Sequence, residues 1–141
     1  VIASDVLEHI EDERAALAEW TRILHPRGTL VVFVPAFMSL WSAHDDANGH
    51  FRRYSGSALR SALDSTGLAV RRLSYWNALL LLPAAIRRIA LRGGDDLRRL
   101  HPLANSSLGL ILRAENAILR YADLPFGVSV FAVAGKRGPG E

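Results

Sequence analysis

Five consecutive apolar residues, Leu30 to Val34, followed at once by Pro35, set the fold class of this chain. The run is too short for an isolated helix and rich in β-branched residues, as in a parallel strand covered on both faces. Upstream, Val1 to Val6 is typical of the end of another buried strand, and Asp12 can cap a helix between the two. That helix carries apolar residues at three-to-four spacing: Leu17, Trp20, Ile23 and Leu24. The sequence therefore predicts a βαβ unit with ligand-binding loops beyond the strand C-termini.

A further helix and strand follow this unit. Ser55 is a candidate N-cap, and Leu59 and Leu63, four residues apart, place two apolar side chains on one helix face. Gly67 fits the C′ position that ends such a helix. The segment Leu68 to Tyr75 then predicts another strand.

The last predicted strand is Gly127 to Ala134, and the long segment 76–126 before it predicts a helical insertion. Its first part, Ala78 to Ile86, is apolar but too short to cross a bilayer, which needs about 20 residues. Arginines follow at once: Arg87, Arg88, Arg92, Arg98 and Arg99. A second helix, expected to pair with the first, has an apolar side made of Leu108, Ile111, Leu112, Ile118 and Leu119.

Two motifs flank the βαβ helix: Asp5-Val-Leu-Glu-His-Ile-Glu-Asp and Leu24-His-Pro-Arg-Gly. Together they resemble the middle of a class I S-adenosylmethionine-dependent methyltransferase. The string Trp41-Ser-Ala-His-Asp-Asp-Ala-Asn-Gly-His-Phe-Arg-Arg-Tyr-Ser is similar to one in a bacterial subgroup of this family, close to methyltransferase types 11 and 12. The resemblance implies an α/β fold, the C-terminal part of a Rossmann-like sheet, whose final antiparallel strand lies beside Leu30 to Val34. It also implies an enzyme that uses S-adenosylmethionine.

The family's Gly-rich cofactor loop is not found in these 141 residues, where Gly138-Pro-Gly140 is the sole Gly-x-Gly. With Val1 at the start, we expect residues 1–141 to be a partial methyltransferase domain, the C-terminal fragment of a longer reading frame. Such a fragment is expected to be inactive and to fold poorly alone, since the strand edge at Val1 to Val6 is left open.

The first motif provides the expected cofactor side. By resemblance, Ser4, Asp5, Val6 and Leu7 line the methionine part of the cofactor, with Glu8 beside them. His9 is a candidate for proton transfer. The alternative is that Glu8 and His9 are first-turn helix residues that cap backbone donors.

The expected substrate side lies between Trp41 and Tyr54, where polar and aromatic groups are denser than a connector needs. His44 and His50 are candidate catalytic groups, because an imidazole near neutral pKa can accept a substrate proton. The candidate substrate-binding residues are Trp41, Arg52, Arg53 and Tyr54, with the arginines suited to a phosphate or carboxylate. Alternatively, the two arginines pair with Asp45, Asp46 or Glu8 and hold the loop shut.

A weaker alternative is a metal site at Asp5, Glu8 and His9, because Asp5-x-x-Glu8-His9 resembles the Glu-x-x-Glu-His array of metal-dependent members of the superfamily. His44 or His50 could complete a shell for Mg²⁺ or Mn²⁺. The first position is Asp rather than Glu, which shortens its reach, so the sequence alone gives no assigned metal.

Composition limits the partners. The chain has no cysteine, which excludes disulfides and thiolate metal sites, and its 17 Lys and Arg include a single lysine, Lys136. We expect a cytoplasmic protein that acts on a small or amphiphilic, lipid-like metabolite. Segment 78–99 is a candidate for peripheral membrane contact, and the favoured alternative is a helical hairpin that covers the sheet edge and the substrate pocket. The rival hypothesis is a cationic membrane- or nucleic-acid-binding module with a vestigial methyltransferase fold. Nucleic acid is the less favoured partner, since the basic residues are not gathered with aromatics.

Overall fold

A computed structural model describes residues 1–80 and 102–137 of the chain. The strands are β1 (Ile2–Ser4), β2 (Thr29–Pro35), β3 (Leu68–Trp76) and β4 (Ser129–Lys136). The α-helices are α1 (Glu13–Ile23), α2 (Ala43–Ala47), α3 (Gly56–Asp64) and α4 (Pro102–Leu119), and short 3-10 turns cover Leu7–His9 and Met38–Leu40. Every strand and helix predicted within the described residues is present, with ends shifted by a few residues.

The four strands form one mixed sheet in the order β1-β2-β4-β3. β1 and β2 are parallel, with Ile2 opposite Val31, whereas β4 runs antiparallel to both β2 and β3. The predicted antiparallel insertion of the last strand beside Leu30 to Val34 is therefore confirmed. Within the described sheet β1 is an edge strand, and Ile2 on it is 78% exposed.

The main core lies between one sheet face and helices α1 and α3. Alternate residues of β2, namely Leu30, Val32 and Val34, are fully buried on that face. The opposite face of β2 is only partly covered, through Phe33, whose ring contacts Phe131 and Trp76. The sequence predicts a strand buried on both faces, whereas only one face of β2 is fully buried in the structure.

The predicted helix caps are present. The Asp12 carboxylate accepts a hydrogen bond from Ala15 N at 2.9 Å, and Ser55 Oγ accepts one from Ala58 N at 3.1 Å. Gly67 has a φ of +81°, but the prediction that it occupies C′ is wrong by one residue: Ser65 is the C-cap of α3, so Thr66 is at C′ and Gly67 follows it.

One predicted core position of α1 is wrong. Ile23 is 54% exposed, whereas Leu17 and Leu24 are buried. The physical reason lies at the helix end, where Leu24 adopts extended backbone. Because the chain leaves the helix there, Leu24 takes the inward position and Ile23 stays on the surface.

Helix α4 is attached to the sheet by polar contacts. The buried carboxylate of Glu115 accepts hydrogen bonds from Asn77 N at 2.5 Å and from Leu79 N at 3.3 Å. Arg72 on β3 donates to Leu119 O and to the Asp123 carboxylate. On the predicted apolar side of α4, Ile118 is half exposed.

The first helix of the predicted insertion, its arginines and most of the expected membrane contact at 78–99 lie outside the described residues. Among the helices that the structure does describe, none combines the length and the hydropathy needed to cross a bilayer.

Candidate functional site

The two loops that follow β1 and β2 meet at one sheet edge, as the βαβ geometry predicts. Phe51 N donates to Glu8 O at 2.8 Å, which ties the end of the second loop to the first. The second loop is also closed at its base, where Tyr54 N donates to Pro35 O and Phe37 N donates to Tyr54 O, both at 2.9 Å. The bond between Phe51 N and Glu8 O therefore holds Glu8 close to His50, the residue before Phe51.

Both loops leave their strands through strained backbone. Asp5 follows β1 with a φ of +52°, and Phe37 follows β2 with a φ of +57°, a region that non-glycine residues rarely adopt. Asp5 is held there by its own N–H, which donates to Phe33 O at 3.0 Å. Strained residues of this kind are concentrated at binding sites.

A cavity of about 330 Å³ opens at this edge. Its walls come from both loops and from the residues around the start of β4. The lining residues are Asp5, Glu8, His9, Pro35, His44, Asn48, His50, Arg53, Val128 and Ser129. The predicted catalytic histidines His9, His44 and His50 thus share one cavity with two predicted cofactor-side residues, Asp5 and Glu8.

A buried carboxylate organises the second loop. Asp45 is fully buried and accepts two hydrogen bonds from Arg53, at 2.7 Å from Nε and 3.0 Å from Nη2. It also pairs with His50 Nδ1 at 2.9 Å and caps its own helix by accepting from Ser42 N at 2.8 Å. Burial alone would raise the pKa of Asp45, but the hydrogen bonds and charge of Arg53, with smaller contributions from His50 and Ser42, lower it to about 2.

This arrangement sets the chemistry of His50. Because Asp45 occupies Nδ1, the ring nitrogen left for a ligand or a substrate proton is Nε2. The His50 side chain is 11% exposed, and its ring meets that of His9 edge to face at 4.6 Å between centroids.

Glu8 is the most unusual group of the cavity. It is 1% exposed, and within the part of the chain that the structure describes neither carboxylate oxygen has a hydrogen-bond partner. Burial raises the pKa of Glu8; its own backbone N–H and the nearby histidines offset part of this rise, and the charge of Asp5 adds to it. Ligand atoms of Glu8, His9 and His50 all lie within 4.8 Å of one another. Asp5, a member of the predicted metal set, lies outside this group, and His50 is in its place.

The remaining predicted cofactor residues differ in accessibility. Ser4 and Val6 are exposed, and Ser4 Oγ donates to the Asp5 carboxylate at 2.9 Å. The Leu7 side chain is fully buried in the core, so only its backbone is available to a ligand.

Three predicted substrate residues do not line the cavity. Trp41 Nε1 donates to Asp46 at 2.9 Å, and the Tyr54 hydroxyl donates to Glu13 at 2.5 Å. Burial and the charge of Glu13 raise the pKa of Tyr54. Arg52 pairs with Glu13 at 3.2 Å, so the alternative of arginine pairing within the loop is realised by Arg53 and Asp45 but not by Arg52.

Sequence reasoning placed Asp45 in the loop but did not select it as a site residue. The signal was present, because Ser42 and Asp45 have the spacing of a capping box and both of its reciprocal hydrogen bonds form. Val128 and Ser129 carried no such signal, since their place on the cavity wall depends on the insertion of β4 into the sheet.

Comparison with known proteins agrees with this architecture. Residues 1–32 match the family profile described as "Methyltransferase domain". A methyltransferase solved in complex with the Haloferax volcanii methyltransferase activator Trm112 superposes with a TM-score of 0.57 at 19% identity, over 100% of this chain and 54% of that one. No curated protein matches this chain.

Two other solved structures have the same fold. The Haemonchus contortus phosphoethanolamine N-methyltransferase 2, in complex with S-adenosyl-L-methionine, gives a TM-score of 0.55 at 14% identity, over 98% of this chain and 33% of that one. The [4+2]-cyclase SpnF gives 0.52 at 18% identity, over 98% of this chain and 50% of that one. The chain thus spans about half, or less, of the length of these structures.

These matches confirm the resemblance to class I methyltransferases that the sequence predicts. The four-stranded sheet of the described residues matches part of the Rossmann-like fold of these solved structures.

Proposed function

We propose that this chain is part of an S-adenosylmethionine-dependent methyltransferase that acts on a small or amphiphilic metabolite. The observation that carries the proposal is the cavity beyond the C-terminal ends of β1 and β2, which gathers Asp5, Glu8 and three histidines on a class I methyltransferase sheet. In open α/β sheets, ligands bind at this edge. One structure with the same fold was solved in complex with S-adenosyl-L-methionine, which supports that cofactor.

The loop after β1 is proposed to hold the methionine end of the cofactor. Ser4, Asp5 and Val6 are exposed there, and the positive φ of Asp5 turns the backbone at the strand end. Leu7 contributes its backbone only, because its side chain anchors the loop in the core. The Asp5 carboxylate suits the positively charged amino group of a methionine moiety.

The loop after β2 is proposed to hold the methyl acceptor. Methyl transfer is an in-line displacement, so the protein mainly orients the reactants and receives a proton from the acceptor. The imidazoles of His9, His44 and His50 line the cavity where this proton would be released. Trp41, Arg52 and Tyr54, which lie away from the cavity lining, are then proposed to support the loop.

Arg53 is proposed both to support the loop and to bind the methyl acceptor. Its Nε, Nη1 and Nη2 each donate one hydrogen bond, to Asp45 and to Ala36 O, so three of its five N–H groups are used. Arg53 lines the cavity, and its two remaining N–H groups are proposed to bind an anionic group of the substrate. A phosphate or carboxylate on the acceptor would fit them, and the half-exposed side chains of Phe51 and Met38 supply apolar surface nearby.

The test is equilibrium dialysis of the complete encoded protein with radiolabelled S-adenosylmethionine, followed by label transfer to small-molecule extracts. We expect one cofactor per chain, and at least tenfold weaker binding for Asp5→Ala. The matched control is Asp64→Ala, which removes a surface carboxylate that pairs with Arg137 at the end of α3 and does not line the cavity; it should leave binding unchanged. A folded protein that retains no labelled cofactor would refute the proposal.

A further inference from the structure

We propose that Glu8, His9 and His50 form a binding site for one divalent transition-metal cation. Each residue offers one ligand atom, and these atoms lie within 4.8 Å of one another at the wall of the cavity. Ligands at about 2.1 Å from a common ion are roughly 3 Å apart, so small side-chain rotations complete the site. His9 is exposed and free to make such a rotation without disturbing the core.

The carboxylate of Glu8 provides an independent observation. It is 1% exposed and lines the cavity, with a ligand oxygen within 4.8 Å of a ring nitrogen of each histidine, yet no other described residue donates a hydrogen bond to either of its oxygens. A buried polar group without a partner costs about 1–3 kcal/mol, and a charged one costs more. Protonation alone would still leave a buried hydroxyl and a buried carbonyl oxygen without partners. A bound cation satisfies the carboxylate directly.

The second loop prepares His50 to be a ligand. Asp45 accepts from His50 Nδ1 at 2.9 Å, which fixes the ring and leaves Nε2 for the metal. A carboxylate behind a ligating histidine is the usual outer-shell partner in metal sites, where it fixes the tautomer and makes the ring a better ligand. The backbone is also held in place, because Phe51 N donates to Glu8 O at 2.8 Å. This bond keeps the segments that carry Glu8 and His50 next to each other.

The charges around the cavity favour a cation. Among the lining residues, the positive charge of Arg53 disfavours a bound cation, but the buried carboxylate of Asp45 offsets this charge. Glu8 and Asp5 then leave the cavity negative when both are ionised. A bound cation would lower this repulsion between carboxylates.

The ligand set indicates the kind of ion. One carboxylate and two imidazoles suit Mn²⁺, Fe²⁺, Co²⁺ or Zn²⁺ better than Mg²⁺, which prefers oxygen ligands. Three protein ligands also leave coordination positions open toward the cavity, as in catalytic rather than structural sites. The cation site rests on this geometry and not on the proposed function, although an acceptor oxygen could occupy an open position.

The test is a titration of the complete encoded protein, stripped with a chelator and dialysed, with Mn²⁺ followed by electron paramagnetic resonance. We expect one Mn²⁺ per chain, displaced by Zn²⁺. Glu8→Gln keeps the side-chain shape and removes the charge, and it should weaken Mn²⁺ binding at least tenfold. Because Glu8 is buried, the exposed ligand variant His9→Ala gives a second reading if Glu8→Gln fails to fold; it should also weaken binding at least tenfold.

The matched control is His25→Ala, which removes an exposed histidine outside the cavity and should change the affinity less than twofold. Folded wild-type protein that binds neither Mn²⁺ nor Zn²⁺ up to roughly 1 mM, the weak end of specific affinities, overturns the proposal. So does binding that both ligand variants leave intact. Cofactor binding without metal binding would refute the cation site alone, whereas metal binding without cofactor binding would refute only the proposed methyltransferase function.

Discussion

Arg53 and Asp45 form a two-pronged ion pair inside the protein, with Nε to Oδ1 at 2.7 Å and Nη2 to Oδ2 at 3.0 Å. Their side chains are 3% and 0% exposed. The pair joins the middle of the loop after β2 to its end, and Arg53 Nη1 adds a bond to Ala36 O at the start of that loop. The shape of the cavity wall therefore depends on one buried charge pair.

Removing one partner of this pair should be costly. Arg53→Ala leaves the Asp45 carboxylate buried without its cation, and such losses cost about 3–5 kcal/mol. We expect a fall of that size in the free energy of unfolding, measured by urea denaturation of the complete encoded protein. Arg53→Lys should recover only part of it, because a lysine cannot make the two parallel bonds.

The control for this prediction is the neighbouring pair. Arg52 and Glu13 are 26% and 29% exposed, so Arg52→Ala should cost no more than about 1 kcal/mol. The double variant of Asp45 and Arg53 to Ala should cost less than the sum of the two single changes. Equal costs for Arg52→Ala and Arg53→Ala would mean that burial of the pair has no energetic consequence.

Asp45 should also make the protein sensitive to acid. Its pKa in the folded protein, about 2, is below the ordinary value of 3.8, so the ionised form is stabilised by folding. This contribution, roughly 2 kcal/mol, is present above pH 3.8 and is lost as the pH falls from there toward 2. Urea midpoints measured with a chelator present should therefore fall less steeply below pH 4 in Asp45→Asn than in wild type. Parallel curves would show that Asp45 titrates normally.

The sequence predicted the elements that depend on local signals. Strand β2 follows from its apolar run and from Pro35, and the caps at Asp12 and Ser55 follow from side chains that bond to nearby backbone. Such features depend on neighbours within a few residues, which the sequence displays directly.

The details of the site depend on long-range placement instead. Asp45 pairs with Arg53 in a loop whose backbone turns at Phe37 with a positive φ. No pattern of residues in the sequence predicts that turn. The choice of Glu13 as partner for both Arg52 and Tyr54 likewise depends on how α1 packs against this loop. The candidate residues could be predicted from the sequence. Which of them line the cavity and which only support the loop could not.

Glu115 should be required for the attachment of α4 to the end of β3. Glu115→Ala leaves the N–H groups of Asn77 and Leu79 without their acceptor, at a cost of about 2–3 kcal/mol. Hydrogen exchange should then be faster at these two amides. The control is the adjacent Asn116→Ala, which removes an exposed acceptor for Trp76 Nε1 and should cost less than about 1 kcal/mol. Unchanged exchange at Asn77 in Glu115→Ala would contradict the anchoring role.

Two glycines should respond to alanine in opposite directions. A Cβ on Gly127 would lie 2.3 Å from the backbone oxygen of Trp76, closer than atoms can pack, so the junction between β3 and the segment leading into β4 must shift. Gly127→Ala should therefore lower the free energy of unfolding by about 1–3 kcal/mol. Gly109 lies within α4 with nothing within 4 Å of the added carbon, and alanine there should raise stability by about 0.8–1 kcal/mol through helix propensity. Thermal unfolding of both variants beside wild type tests the pair. A Gly127→Ala protein as stable as wild type would show that the close approach to Trp76 relaxes at no cost.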